Sequence, residues 1–132
     1  MKECKIVMYH YVRPIKNSMY SKIKGLELDG FERQVNYFKK NFNLIDLNEL
    51  LDVIYENKEV PTNSMLLTFD DGLKDHYEFV FPILSKSNIQ GIFFPPSKPI
   101  IESNVLDESN ESLNRVCDIN DTNCPYNTNI NM

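Results

Sequence analysis

Short apolar runs and helical stripes alternate along the first hundred residues of the chain. Residues 4–12 are rich in β-branched and aromatic side chains and stop before Pro14, so they predict a first strand. Apolar runs at 43–45, 65–69 and 89–94 predict three further strands, the last two of the buried kind. Because amphipathic stretches separate the runs, the pattern predicts an α/β fold with parallel neighbouring strands.

The first amphipathic stretch has one apolar stripe. Its large apolar residues recur at steps of four, three and four, which is the spacing of one helix face; they are Phe31, Val35, Phe38 and Phe42. Asp29 lies just before this stripe and is the expected N-cap. We therefore predict a helix from about residue 30 to residue 42.

Two further helices follow. Asp46 and Glu49 have the spacing of a capping box, which predicts a helix start at that point. Pro82 lies inside the next apolar stretch, so we predict a turn and then a helix with Pro82 in its first turn, where its missing N–H is harmless. The apolar face of the helix after Asp46 consists of Leu47, Leu50, Leu51 and Ile54.

The character of the chain changes after Leu106. Residues 107–132 are dominated by Asn, Asp, Ser, Glu and Thr, with apolar residues out of period. Such a segment buries too little apolar surface to offset the entropy of ordering. We predict an α/β domain at residues 1–106 and a disordered polar tail at residues 107–132.

Composition narrows the classes of function. The 132 residues suit one domain, and the net charge of −5 offers no basic surface for nucleic acid. No apolar run reaches the 18 or so residues that cross a bilayer, so a membrane partner is not expected. The N-terminus carries charges at positions 2, 3 and 5 and lacks a signal-peptide run, which predicts a cytoplasmic location.

The segment with the clearest chemistry is Thr-Phe-Asp-Asp-Gly at residues 68–72. It puts two adjacent carboxylates at the carboxyl end of a buried strand, the end at which α/β folds place their sites. Gly72 permits the turn that would bring both carboxylates toward one cavity, and a cation between them would relieve their repulsion. A strand-end turn with a helix N-cap is the alternative without chemistry.

This motif resembles the first motif of the polysaccharide deacetylases of carbohydrate esterase family 4. The resemblance extends over residues 4–106, because residues 8–12, 31–51, 75–84 and 91–94 resemble the segments that flank the motif in the family. It implies a metal-dependent hydrolase that removes acetyl groups from the amide nitrogen of a glycan. By resemblance, Asp70 is the general base and Asp71 is a ligand of a divalent metal, zinc in the complete family.

The family takes two more metal ligands from a histidine motif further along, and this sequence has no histidine after His76. One aspartate is a poor zinc site, since a catalytic zinc has about three protein ligands and a water. The family also closes a distorted (β/α) barrel of seven or eight strands, and this chain supplies about half of those strands. The expectation is therefore a partial, truncated barrel that binds metal weakly or not at all and is weakly active or inactive alone.

The remaining candidate residues are the histidines and cysteines. His10 ends the first strand and is a possible site-lining residue, although a packed or hydrogen-bonded histidine is the interpretation that the sequence favours. His76 lies in a polar stretch and is expected to face solvent. Cys117 and Cys124 have a spacing that fits no common zinc site, and all thiols are expected to be reduced.

Two other functions are compatible with parts of the pattern. The first is a non-catalytic module that keeps part of the fold and binds a carbohydrate or a protein, and an exposed strand edge would also allow self-association. The second, a phosphatase of the haloacid dehalogenase type, needs Asp-x-Asp after its strand. We set the phosphatase aside because Leu73 follows Gly72 and no second aspartate has that spacing.

Overall fold

The computed structural model describes residues 3–19, 21–97 and 101. The chain divides into two units, Met1–Phe94 and Pro95–Met132, and every element below belongs to the first. The strands are β1 Cys4–Tyr9, β2 Asn43–Leu44, β3 Ser64–Asp70 and β4 Ile92–Phe94. The helices are α1 Leu28–Asn41, α2 Leu47–Tyr55 and α3 Phe81–Lys86, with a π-helical turn, His76–Val80, directly before α3.

The central element of the sheet is β3. It pairs with β1 in parallel over its length, from Cys4 opposite Ser64 to Tyr9 opposite Phe69. On its other side, β2 pairs in parallel with the start of β3 and β4 with its end. The predicted α/β class with parallel neighbours is confirmed, and β3, which is paired along both edges, is buried over most of its length.

One face of the sheet packs against the helices. The hydrophobic core between this face and the helices contains aromatic and aliphatic side chains from β1, β3, α1 and the segment from the π-helical turn to α3. The ring of Phe69 stacks on that of Tyr9 at 5.3 Å and meets that of Phe31 edge-on at 6.1 Å. These contacts fix α1 over the middle of the sheet.

The opposite face is partly open. Ile6 and Met8 of β1 and Phe94 of β4 are more than half exposed. They lie on the face of Leu66, since alternate residues of a strand share a face. The prediction of a buried strand at 89–94 is wrong in this respect: β4 is three residues long, and Phe93 and Phe94 are exposed.

The helix starts differ in part from the prediction. The capping box of Asp46 and Glu49 is present and opens α2. The prediction that Asp29 is an N-cap is wrong, because α1 begins two residues earlier with Glu27 in the cap position. Asp29 lies in the first helical turn instead, where its carboxylate accepts from Gly30 and Arg33.

The segment around Pro82 agrees with the predicted position of the proline. Pro82 lies in the first turn of α3, but a π-helical turn, not a simple turn, precedes it. The amide of Phe81 donates to the carbonyl of His76, a wider spacing than that of an α-helix. The tail predicted for residues 107–132, and the boundary at Leu106, lie outside the described residues.

Candidate functional site

Asp70 and Asp71 lie where the central strand ends. Asp70 is the last residue of β3, pairs in register with Phe94, and is half-buried. Asp71 and Gly72 then both have left-handed backbone conformations, with φ of 73° and 56°. The chain therefore turns at Asp71 itself, one residue earlier than the glycine that the sequence suggested.

The left-handed conformation of Asp71 has an energetic cost. Aspartate tolerates this region better than most residues, but a non-glycine residue still loses about 1–2 kcal/mol there. Strained backbone is maintained where the surrounding structure over-determines it, and such positions concentrate at functional sites. The same conformation occurs at Asn17, Asn57, Asn63 and Asn88, so the interest of this turn comes from its position at the end of β3.

His10 lies next to Asp71. The Nε2 atom of His10 is 3.6 Å from Oδ2 of Asp71, and the two side chains are 45% and 33% exposed. The pairing of β1 with β3 brings them together, since both residues follow the carboxyl ends of these strands. His10 is thus beside the site, on its solvent-accessible side, and is not the packed histidine that the sequence favoured.

His76 is buried, so the prediction that it faces solvent is wrong. Only 4% of the residue is exposed, and its ring packs against those of Phe69 and Phe93. The physical reason is its place on the inward stripe of the helical segment, four residues before Val80 and eight before Leu84. That spacing was visible in the sequence and could have revealed the burial.

The ring of His76 also has a defined hydrogen-bonding role. Its Nε2 is 2.8 Å from the carbonyl oxygen of His10, which only accepts, so Nε2 carries the proton and donates. Within the described residues, Nδ1 has no hydrogen-bond partner. The ring of His76 thus anchors the main chain of His10 through Nε2.

A buried ion pair joins the same two chain segments. Arg13 and Asp75 are 7% and 3% exposed, and the guanidinium donates from Nε and Nη2 to the two carboxylate oxygens at 2.5 Å each. Arg13 follows β1 and Asp75 follows the turn after β3, so the pair ties the loop of His10 to the loop of Asp71. Sequence reasoning missed this pair, since nothing local relates positions 62 apart.

The side chains around Asp71 can be compared with the ligands that a catalytic metal ion needs. Across residues 3–19 and 21–97, no three His, Cys, Asp or Glu side chains converge to hold a metal ion. Asp71 and His10 supply two donors, and a catalytic zinc has about three protein ligands. The described part of the chain therefore does not complete a catalytic metal site.

Comparisons with known proteins agree with the fold. Residues 57–120 match the family model described as polysaccharide deacetylase, a segment that includes Asp70 and Asp71. A comparison with curated protein sequences finds no significant match.

Among the described residues, no helix has the length and apolar character needed to cross a membrane.

Three solved structures share the architecture, and two of them are deacetylases. A de-N-acetylase from Aggregatibacter actinomycetemcomitans aligns at a TM-score of 0.67 with 20% identity, over 81% of this chain and 43% of its own. The Streptococcus pyogenes deacetylase PplD, in complex with acetate, aligns at 0.64 with 21% identity, over 79% and 47%. IcaB from Ammonifex degensii aligns at 0.56 with 26% identity, over 71% and 39%. The chain thus spans less than half of the length of each of these proteins.

Proposed function

We propose that the chain takes part in removing acetyl groups from an N-acetylated glycan, because residues 57–120 match the polysaccharide deacetylase model and the fold resembles that of a de-N-acetylase. The observation that carries this proposal is the position of Asp70 and Asp71 at the carboxyl end of the buried central strand, inside the matched segment. The family match and the shared architecture support the reaction class. The glycan and the activity of the whole enzyme are part of the proposal.

Asp70 is proposed as the general base. Its carboxylate would take a proton from a water molecule, whose oxygen attacks the carbonyl carbon of the acetamide. The C–N bond then breaks, the sugar nitrogen takes a proton, and acetate and a free amine result. The S. pyogenes deacetylase structure holds acetate, the product that this hydrolysis would release.

Asp71 is proposed as a metal ligand, as the family resemblance implies, with zinc as the proposed metal. A divalent metal would supply charge stabilisation for the carbonyl oxygen when bound. The described residues offer two donors where three are needed, so no step is assigned to the metal on this chain alone. We propose that the unaided chain is weakly active or inactive.

A completed protein tests the proposal. The chain, joined to a downstream deacetylase segment that carries the family's two histidine ligands, should release acetate from N-acetylated chito-oligosaccharide when zinc is present. Asp70→Asn should abolish release and retain zinc, because an amide cannot accept the proton from water. Asp71→Asn should weaken zinc binding, since a neutral amide oxygen is the poorer ligand.

A matched control is available on α1. Asp29→Asn removes an exposed carboxylate of the same size and should leave acetate release unchanged. Normal activity of the Asp70→Asn protein would show that Asp70 is not the base. Normal turnover by the unaided chain would show that the described site needs no completion.

A non-catalytic binding module is a second candidate. The observation that favours it is the half-exposed apolar face of Ile6, Met8 and Phe94, on a sheet that holds no three-ligand metal site among its described residues. An open face of this kind favours association with another chain. Light scattering would then give a defined dimer or complex, whereas a monomer without glycan affinity would argue against the module.

A further inference from the structure

The outer edge of β1 is a feature that the deacetylation proposal leaves unused. Among the described residues, β1 lies at the end of the strand order and pairs with β3 alone, so the main-chain groups on its other side have no strand partner there. The unpaired N–H and C=O groups of such an edge bond readily to another extended chain. Six consecutive pairs with β3, from Cys4 to Tyr9, keep β1 regular along this edge.

β1 lacks the features with which proteins usually protect a strand edge. These are a proline, a bulge or a charge that points along the edge. The sequence from Cys4 to Tyr9 has no proline, and its register with β3 has no bulge. Lys5 carries the one charge of β1, but its ammonium group binds Glu3 at 2.8 Å and lies over the ring of Phe42, on the helix side of the sheet. The edge is therefore open to pairing.

The open face of β1 is apolar along its whole length. It consists of Cys4, Ile6 and Met8, of which the last two are 61% and 58% exposed. We propose that two copies of the chain pair through β1, antiparallel about a two-fold axis, with Ile6 of one copy beside Ile6 of the other. The two sheets then become one, and the two apolar faces are continuous across the axis.

The pleat of the strands restricts the register of this pairing. Side chains opposite each other in an antiparallel pair lie on the same face, and a shift by one residue changes the face. The two-fold axis must therefore pass through a residue and not between two residues. With the axis at Ile6, Cys4 of one copy lies opposite Met8 of the other, and Glu3 lies opposite Tyr9. This register uses the whole of β1 and ends where β1 ends.

The neighbouring registers are less favourable. An axis at Val7 would place Cys4 opposite His10, but the chain bends at His10 and the next residue already accepts a hydrogen bond from the amide of Leu26. An axis at Lys5 would place two ammonium groups directly opposite each other, which is destabilising. Ile6 is also the most exposed apolar residue of β1, so its burial at the axis gains the most.

A second copy suits this edge better than an unrelated strand. In the register at Ile6, every side chain of the open face meets an apolar side chain of the other copy. The charges of Glu3 and Lys5 cancel within each copy, so the two edges do not repel each other locally although the chain has a net charge of −5. One strand per copy buries less than the roughly 1,200 Å² of a standard interface, so we expect a weak dimer with a micromolar dissociation constant.

Sedimentation velocity of the intact chain tests the dimer. The weight-average mass should rise with micromolar concentration toward that of two chains. Ile6→Lys places two ammonium groups at the axis and removes the apolar contact, so it should raise the dissociation constant at least about tenfold. Ile54→Lys is the matched control, because Ile54 is 56% exposed on α2, away from the sheet edge, and its replacement should leave association unchanged.

Single cysteines test the register. In a chain whose three native cysteines are replaced by serine, Ile6→Cys should form a disulfide between two copies under mild oxidation, because the two side chains are neighbours at the axis. Val7→Cys in the same background should stay monomeric, since Val7 lies opposite Lys5 of the other copy. Non-reducing gel electrophoresis separates the two results.

The pairing rests on the second candidate function, in which the open face favours association, and is independent of deacetylation because neither measurement involves acetate or metal. A monomer at every concentration would overturn it and leave the edge to a strand of another protein. Dissociation by Ile54→Lys and not by Ile6→Lys would overturn it in favour of α2. Crosslinking of Val7→Cys in preference to Ile6→Cys would overturn the register. If circular dichroism shows that Ile6→Lys does not fold, the crosslinking of Ile6→Cys still decides.

Discussion

The guanidinium of Arg13 and the carboxylate of Asp75 form two 2.5 Å hydrogen bonds in the interior, although the two residues are 62 positions apart. Asp75→Asn removes the charge that compensates Arg13. Breaking one side of a buried pair costs about 3–5 kcal/mol, so the free energy of unfolding should fall by that amount in urea titrations.

Two comparisons test whether burial is the cause of that loss. Asp29→Asn breaks an exposed pair with Arg33 and should change the urea midpoint little. Replacing Arg13 by Met together with Asp75 by Leu should recover much of the loss, because no buried charge remains. A small effect of Asp75→Asn alone would mean that the ion pair does not stabilise the fold.

Alkaline pH should destabilise the protein through Tyr9. Burial raises the pKa of Tyr9 to about 12 from 10.0, and its hydroxyl donates to Gln34 at 2.7 Å. The neutral phenol is thus favoured in the folded state, so its contribution is complete below pH 10 and is lost as the pH rises toward 12. The unfolding free energy should be lower by about 1 kcal/mol at about pH 11 than at about pH 9.

Tyr9→Phe isolates this effect from the other groups that titrate at high pH. The variant lacks the phenol, so its unfolding free energy should fall less between about pH 9 and about pH 11 than that of the unchanged protein. The difference between the two urea series is the quantity to compare. Parallel pH dependence would contradict the raised pKa of Tyr9.

Two glycine-to-alanine substitutions should have opposite effects. A Cβ at Gly91 would lie 2.7 Å from the ring of Phe69 and 3.0 Å from Leu84, so Gly91→Ala should cost about 1–3 kcal/mol through overpacking. A Cβ at Gly30, inside α1, comes closest to a methyl of Leu26 at 3.0 Å, which is the far end of a flexible side chain. Gly30→Ala should therefore stabilise by up to about 1 kcal/mol, the usual gain inside a helix. Thermal melts of both variants check the signs.

The left-handed backbone of Asp71 gives a test of strain at the site. Asp71→Gly and Asp71→Ala both remove the carboxylate, but glycine adopts a φ of 73° without steric cost. The glycine variant should be more stable than the alanine variant by about 1 kcal/mol in urea titrations. Equal stabilities would indicate that the turn relaxes when the side chain is shortened.

Several features of the fold are readable from local sequence. The run at 65–69 predicts the buried strand β3, and Asp46 with Glu49 predicts the start of α2. These features can be predicted from the sequence because the spacing of apolar side chains along an element and the capping of a helix depend on residues within four positions of one another. The motif at 68–72 likewise predicts two carboxylates at a strand end, since the apolar run stops directly before them.

The environment of that motif depends on contacts between distant segments. The pairing of Arg13 with Asp75 and the approach of His10 to Asp71 both depend on the parallel alignment of β1 with β3, which are distant in the chain. No local period encodes which strand lies beside which, because that choice depends on how whole faces pack. The sequence alone determined the strands, the capped helix and the two adjacent carboxylates. The tertiary structure decided that His10 stands beside Asp71 and that Arg13 pairs with Asp75, because the alignment of whole strands brings these distant segments together.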